Sequence, residues 1–189
     1  MGLTLAQAAH EAGCDATLLL GTVEAQLIQA AAAYARVVSF VTVEDLQKKL
    51  TRLFPEHDVL VMAAAVGDFR LEHVSNHKLS RAAGPIQLTL VPTQDVLAEV
   101  TANKRRDQLV VSFAVEESSL TDAEAKARQE LAAKCADFVV VNTPAAMNSP
   151  KSLACILSAD QVLLPWAVRP KEALAAAIIR LLCNAAGPK

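Results

Sequence analysis

Short apolar runs alternate with amphipathic stretches along the whole chain, a pattern typical of an α/β protein. Strands are predicted over residues 16–20, 37–43, 58–66, 87–91, 109–115 and 138–141. Helices are predicted over residues 4–12, 24–35, 44 onward, 95–102, 122–135 and 171–184. Because most of the strands are almost continuously apolar, they predict a parallel sheet that is covered on both faces.

The end of the chain departs from this alternation. Residues 153–158 and 161–164 predict a hairpin across Ala159 and Asp160. Residues 69–85 lack regular periodicity, and a loop of that length in a compact domain is often functional. Helix caps are expected at Thr93 and at Thr121 or Asp122. The predicted fold is one α/β domain over residues 1–189: a Rossmann-like, three-layer parallel sheet with helices on both faces and a C-terminal antiparallel hairpin.

Composition narrows the function classes. The chain has 189 residues, 53% of them hydrophobic, and a net charge of -2, so nothing in its balance favours nucleic acid or a membrane as a partner. Its cysteines form no C-x-x-C pair and have no histidine at metal-ligand spacing, which predicts no metal-binding residues. We expect them to be reduced, mostly buried thiols in a cytoplasmic protein. They are Cys14, Cys135, Cys155 and Cys183.

The candidate chemistry centres on the end of the apolar run at 59–62. Ala63 to Ala65 have almost no side chain, so a flat ligand could lie against the backbone there. Asp68 follows beyond the carboxyl end of the strand, where open α/β sheets bind ligands. Each polar candidate alone has an ordinary structural explanation, but together they favour a nucleotide or phosphate site. The others are Lys78, Asp95, Lys134 and Asn142.

Known nucleotide motifs are missing. The sequence has neither G-x-x-x-x-G-K-[ST] nor G-x-G-x-x-G, which argues against a P-loop protein and a Rossmann-type oxidoreductase. Lys78 on a long loop suits a phosphate, as a point charge that could close over it. Asp68 suits a sugar, a base or Mg²⁺ beside a triphosphate.

Four blocks in order carry a family resemblance. Residues 63–70 (AAAVGDFR) are similar to A-A-A-V-A-D-F/Y-R, and residues 93–97 (TQDVL) to N-P-D-I-L. Residues 111–116 (VSFAVE) are similar to V-G-F-A-A-E, and residues 134–142 to K-x-x-D-x-I-V-A-N. The chain therefore resembles phosphopantothenoylcysteine synthetase, the ligase domain of bacterial coenzyme A biosynthesis.

The resemblance implies a reaction and a site. Phosphopantothenate and cysteine would be joined with CTP and Mg²⁺ through an acyl-cytidylate, in a homodimer; FMN is not expected, because the family's decarboxylase half is missing. Lys78 would be catalytic, stabilising charge at the α-phosphate. The substrate-binding positions would be Ala64, Ala65 and Asn142. The nucleotide-binding positions would be Met62, Ala63, Ala64, Asp68, Lys78, Gln94, Asp95, Val96, Leu97, Phe113 and Lys134.

The departures leave the activity open. The family's first strand and its S-S-G loop would precede Met1, so we expect a truncated chain whose sheet has a gap. Ser80 and Gln94 replace a lysine and a proline, and Glu130 falls where a lysine usually contacts phosphate, which Lys126 could partly offset. The main alternative to the enzyme is a non-catalytic nucleotide-binding or interaction domain of the same descent.

Overall fold

The computed structural model describes residues 1–81, 84–147 and 149–187 of the chain. Helices and strands alternate over most of its length, as the sequence pattern predicts. The helices are α1 (Gly2–Glu11), α2 (Ala25–Ala32), α3 (Val43–Leu53), α4 (Val96–Thr101), α5 (Leu120–Ala133) and α6 (Lys171–Ala186). The strands are β1 (Thr17–Leu20), β2 (Arg36–Ser39), β3 (Val59–Met62), β4 (Phe69–Leu71), β5 (Leu90–Pro92), β6 (Leu109–Val115), β7 (Phe138–Asn142), β8 (Lys151–Leu157) and β9 (Val162–Pro170).

The main sheet has five strands in the order β3-β6-β7-β8-β9. Strands β3, β6 and β7 run parallel, and the hairpin of β8 and β9 adds two antiparallel strands. One face packs on α3, α4 and α5 through Leu50, Val96 and Ala127, and the other on α1 and α6 through Leu5 and Ile178. The predicted α/β, three-layer, Rossmann-like fold with a C-terminal hairpin is confirmed.

Strands β1 and β2 form a separate parallel pair. Their apolar residues Leu19 and Phe40 pack against the same core cluster as α3, and His57 Nε2 lies 3.1 Å from Thr17 Oγ1. Every residue of β1 and of β3 is only partly buried. These two strands therefore form open edges of neighbouring sheets, since neither is hydrogen-bonded to the other.

The segment predicted to be irregular, 69–85, begins with a strand instead. Strand β4 pairs antiparallel with β5, so the two form a short arm outside the main sheet. Phe69 and Leu90 are exposed on the arm, and Leu88, two residues before β5, is exposed as well. Residues 82 and 83 lie outside the described part of the chain.

Several predicted boundaries are wrong. The strand at 58–66 ends at Met62, because the alanines that follow have only methyl side chains, and those of Ala64 and Ala65 are exposed. The strand at 37–43 ends at Ser39, and the strand at 87–91 shrinks to β5. Val43 begins α3 instead, since the Thr42 hydroxyl accepts a hydrogen bond from the Asp45 amide at 3.1 Å.

The structure also corrects the predicted caps of two helices and the predicted burial of three cysteines. Asp95 caps α4, not Thr93, and Ser119 caps α5, not Thr121 or Asp122. In both cases the capping oxygen belongs to the residue just before the first helical turn. Contrary to the predicted burial, Cys155 is the buried thiol and the other cysteines are exposed. Within the described residues, no helix combines the length and apolar character needed to cross a bilayer.

Candidate functional site

The carboxyl ends of β3, β6 and β7 lie side by side at one edge of the main sheet. Met62 pairs with Ser112, and Val115 pairs with Asn142, so Met62, Phe113 and Asn142 follow one another across this edge. Ala64 and Ala65 continue from β3 as exposed, irregular backbone. Small side chains at such a strand end leave main-chain groups accessible, which suits a flat ligand.

Asp68 lies just beyond this edge and is tied to the segment that precedes α4. The Thr93 amide donates to the Asp68 carbonyl at 2.8 Å, and the Asp68 carboxylate stays exposed. The Thr93 hydroxyl is buried, and within the described residues it has no hydrogen-bond partner. A recess of about 130 Å³ opens beside it. It is lined by Val43, Glu44, Gln47, Arg70, Thr93 and Gln94.

Glu44 and Arg70 give this recess both charges. Hydrogen bonds from its own amide and the Thr42 hydroxyl hold the pKa of Glu44 below its usual range, and Arg70 adds to the effect. Neither residue was among the candidates predicted from the sequence. Arg70 could have been found, because it is the last residue of the block at 63–70. Glu44 could not, since an acidic residue in the first turn of a helix is common and does not by itself indicate a binding site.

Lys134 and Asp95, both predicted nucleotide-binding residues, lie close together. The Lys134 ammonium lies 3.8 Å from the Asp95 carboxylate and 3.0 Å from that of Glu130. The Asp95 carboxylate also accepts a hydrogen bond from the Ala98 amide at 3.0 Å. Val96 and Leu97 are buried in the core, so only their backbone could contact a ligand. Lys134 is thus already engaged by two carboxylates.

Asn142 has a charged neighbour that the sequence analysis did not select. Its carbonyl accepts a hydrogen bond from the Glu116 amide at 2.9 Å, while its side-chain oxygen is buried and unpartnered within the described residues. The Glu116 carboxylate is 8% exposed and lies 2.9 Å from the Lys126 ammonium, which raises the pKa of Lys126. Lys126 is therefore already paired with a carboxylate, and its role in offsetting Glu130 stays a prediction. Glu116 ends the block at 111–116, the one signal that could have found it.

Lys78 is the predicted site residue that stands apart. It is exposed in the segment between β4 and β5, and in the described part of the chain it makes no ion pair with another site residue. Among the described residues, no cluster of three histidine, cysteine or acidic side chains could hold a metal. The exposed carboxylate of Asp68 is an oxygen ligand of the kind that Mg²⁺ prefers.

Comparison with known proteins assigns the family. Residues 1–185 match the family described as DNA/pantothenate metabolism flavoprotein C-terminal domain. A cysteine/cysteine sulfinic acid decarboxylase from an unknown prokaryotic organism is 32% identical over 76% of this chain. The coenzyme A biosynthesis bifunctional protein CoaBC of Bacillus subtilis (strain 168) is 33% identical over 75% of the chain. The chain spans 38% and 33% of these two relatives.

A solved structure agrees with the fold. The crystal structure of the C-terminal domain of the bifunctional protein CoaBC superposes with a TM-score of 0.75 at 20% identity. The match covers 96% of this chain and 81% of that one. Since the family match runs through nearly the whole sequence and the fold agrees, the chain belongs to the family of the DNA/pantothenate metabolism flavoprotein C-terminal domain.

Proposed function

We propose that this domain joins 4'-phosphopantothenate to cysteine at the expense of CTP, as a ligase of coenzyme A biosynthesis. One observation carries the proposal: the alanine-lined end of β3 lies on the same edge as the unpartnered, buried side-chain oxygen of Asn142. A buried polar atom without a partner marks a position where a ligand can complete the hydrogen bonding. The name of the Bacillus relative supports the same pathway.

The proposed reaction has two steps. A carboxylate oxygen of phosphopantothenate attacks the α-phosphorus of CTP, and the bond to pyrophosphate breaks. The cysteine amine then attacks the acyl carbon, CMP leaves, and the amine proton passes to solvent. Lys78 and Lys134 would stabilise negative charge on the phosphates, and Asn142 would orient the acyl group.

The nucleotide would lie along the carboxyl edge. The backbone of Met62, Ala63 and Ala64 would face the base, and Phe113 would pack on it. Asp68 would accept hydrogen bonds from the ribose, while Gln94 and the segment 95–97 would contact the nucleotide from α4. Mg²⁺, carried in with the triphosphate, would neutralise part of its charge.

We also propose that the active form has one more strand, between β1 and β3. Both strands are apolar and partly buried, and neither is hydrogen-bonded to the other. Two open strand edges leave backbone N–H and C=O groups without partners, which is unfavourable. An extended chain carrying an added upstream strand and S-S-G loop should be more stable and active. Equal stability of the two chains would contradict this proposal.

A homodimer in the cytoplasm completes the proposed picture. A two-stranded arm is marginal by itself, and its exposed Phe69 and Leu90, together with Leu88 just before β5, would be covered by a second copy. The exposed free thiols fit a reducing compartment. Sedimentation of the chain and of a Leu88→Glu variant would test the dimer, since a charge among these exposed apolar side chains should favour monomers.

The second candidate is a non-catalytic nucleotide-binding domain. It is favoured by the ion pairs of two lysines on α5 and at its end, Lys134 with Glu130 and Lys126 with Glu116. These ion pairs would have to open before either lysine could meet a phosphate. Binding of CTP without any ligation by an extended chain would support this candidate over the enzyme.

Calorimetric titration with CTP and Mg²⁺, with ATP as the comparison, tests the site. Selective CTP binding supports the proposal, and binding of neither nucleotide to a folded sample contradicts it. In the extended chain, Lys78→Ala should abolish phosphopantothenate-dependent release of pyrophosphate without changing Tm. The matched control is Lys151→Ala, an exposed lysine on β8 that should leave both unchanged.

A further inference from the structure

Helices α1 and α6 bring distant parts of the chain together. Leu5 and Ala8 of α1 pack with Ile179 and Leu182 of α6 in the core cluster on one face of the sheet. The contact is apolar and continuous, so the two helices hold a fixed relative position. Residues at the end of α1 therefore lie against the last turns of α6.

The turn after α1 has a defined geometry. Gly13 adopts a φ of 76°, and its amide donates to the His10 carbonyl at 2.9 Å. The Cys14 amide donates to the Ala9 carbonyl, also at 2.9 Å. These two bonds form a Schellman motif, which reverses the chain direction at the helix end and fixes the position of Cys14.

The motif places Cys14 beside the last turns of α6, close enough to Cys183 for that thiol to influence its pKa. Both cysteines are exposed and free. Partial burial and the neighbouring thiol raise the pKa of Cys14. The other two cysteines differ: Cys135 is exposed, and burial raises the pKa of Cys155 to about 12.

We propose that Cys14 and Cys183 form a redox-active pair, which a low-molecular-weight disulfide such as oxidised glutathione converts to an intramolecular disulfide. One protein thiolate attacks the oxidant, forming a mixed disulfide and releasing one glutathione thiolate. The second protein thiolate attacks the protein sulfur of that mixed disulfide and releases the second glutathione. The protein loses two electrons and two protons, and the oxidant becomes two molecules of reduced glutathione.

The bond would link α1 to α6 and enclose nearly the whole sequence between them. Cross-linking over so long a loop restricts the unfolded chain strongly. The oxidised protein should therefore melt roughly 5–10 °C higher than the reduced protein, and dithiothreitol should reverse the shift. The site lies at the end of α1 and needs no part of the proposed ligase activity.

The test treats the whole chain with glutathione buffers of rising oxidised fraction, followed by alkylation, proteolysis and mass mapping. We expect a peptide joining Cys14 to Cys183 that has lost two hydrogens, together with the rise in Tm. Cys14→Ser and Cys183→Ser should each lose both signals. Cys135→Ser is the matched control, an exposed cysteine far in sequence from the pair, and it should keep both.

Three results would overturn the proposal. The first is separate glutathione adducts on Cys14 and Cys183 with no linked peptide. The second is a link between two chains, seen as a covalent dimer on a non-reducing gel. The third is protection of both thiols by Zn²⁺ alone with no link under oxidant, which would assign the pair to soft-metal binding instead.

Discussion

Strands β6 and β1 have similar apolar sequences but different surroundings. Val110 and Val111 of β6 are 0% and 1% exposed, because β3 and β7 pair with the strand on both sides and helices cover both faces. Leu18 to Leu20 of β1 are only partly buried, since the strand pairs with β2 alone. An apolar sequence thus favours a strand, but pairing on both edges decides how completely it is buried.

The β1–β2 pair is docked by few polar contacts. The Lys49 ammonium of α3 donates to the Ser39 carbonyl at the end of β2 at 2.6 Å, and His57 contacts Thr17 at the start of β1. Apolar packing of Leu19 adds to them. Regions with few buried contacts open more readily than the core, so we expect the pair to be the less stable part of the molecule.

The largest expected difference comes from truncating one leucine in each region. Leu157→Ala in β8 removes a fully buried side chain and should lower the free energy of unfolding by about 2–5 kcal/mol. Leu19→Ala in β1 removes a partly buried one and should cost about 1 kcal/mol. Urea denaturation with a common m-value measures both. Equal losses would mean that β1 is as well packed as the main sheet.

Hydrogen exchange sharpens the same comparison without a mutation. Amides of β6 and β7 should exchange only through global unfolding, whereas those of β1 and β2 should exchange through local opening. We expect the β1–β2 amides to exchange at least about a hundredfold faster, equivalent to about 2.7 kcal/mol. The α1 amides serve as an internal reference, because α1 packs on α6. Uniform protection across all four strands would contradict the division into two regions.

The sequence predicts the well-paired region better than the open one. Strand β6 is predicted with its observed bounds, because an apolar run flanked by polar residues has one way to be buried. The strand ending at Met62 was overextended, since Ala63 to Ala65 look apolar in sequence but contribute little packing. Pairing is nonlocal, so no pattern in residues 16–20 revealed that β1 would join β2 and leave its other edge open.

In the candidate site, too, contacts between residues distant in sequence could not be predicted. Its small residues, Asp68 and Asn142 follow predicted strands, so their common edge could be predicted from the sheet order. The partners of the lysines could not. Lys126 meets Glu116 across ten residues, and Lys134 meets Asp95 across 39, through helix packing that the sequence does not encode locally.

A smaller effect is expected at Glu130, on the helix that covers the well-paired strands. Glu130→Gln removes one of the two carboxylates that hold the Lys134 ammonium, so Lys134 should become freer to meet a phosphate. Because the group is partly exposed, we expect only about 2–5-fold tighter binding of CTP with Mg²⁺. Isothermal titration calorimetry measures the affinity.

The control for Glu130 lies on the same helix. Glu124 forms an ion pair with Arg128 one turn later, at 3.6 Å, but Arg128 is not a site residue. Glu124 also accepts a hydrogen bond from the Trp166 indole at 2.9 Å, which the side-chain oxygen of glutamine can still accept. Glu124→Gln should therefore leave the CTP affinity unchanged. A similar gain in both variants would point to net charge instead of the release of Lys134, and no gain in Glu130→Gln would remove Lys134 from the phosphate site.

The smallest effect concerns the contact that ties β2 to α3. The Lys49 ammonium lies 2.7 Å from the Asp45 carboxylate, and this hydrogen bond, with one from the Val41 amide, lowers the pKa of Asp45. A carboxyl whose pKa is lower in the folded state stabilises the fold above its unfolded pKa of about 3.9, and the stabilisation is lost as the pH falls through the folded value. Asp45→Asn should therefore lower Tm by roughly 1–3 °C at pH 6, and the difference from the unmodified chain should vanish once the pH is below the folded pKa of Asp45.

Asp160→Asn, in the exposed turn between β8 and β9, is the control and should not change Tm at pH 6. A Tm difference for Asp45→Asn that persists in acid would show that the amide disturbs the start of α3 sterically, and that charge does not hold Lys49 against β2.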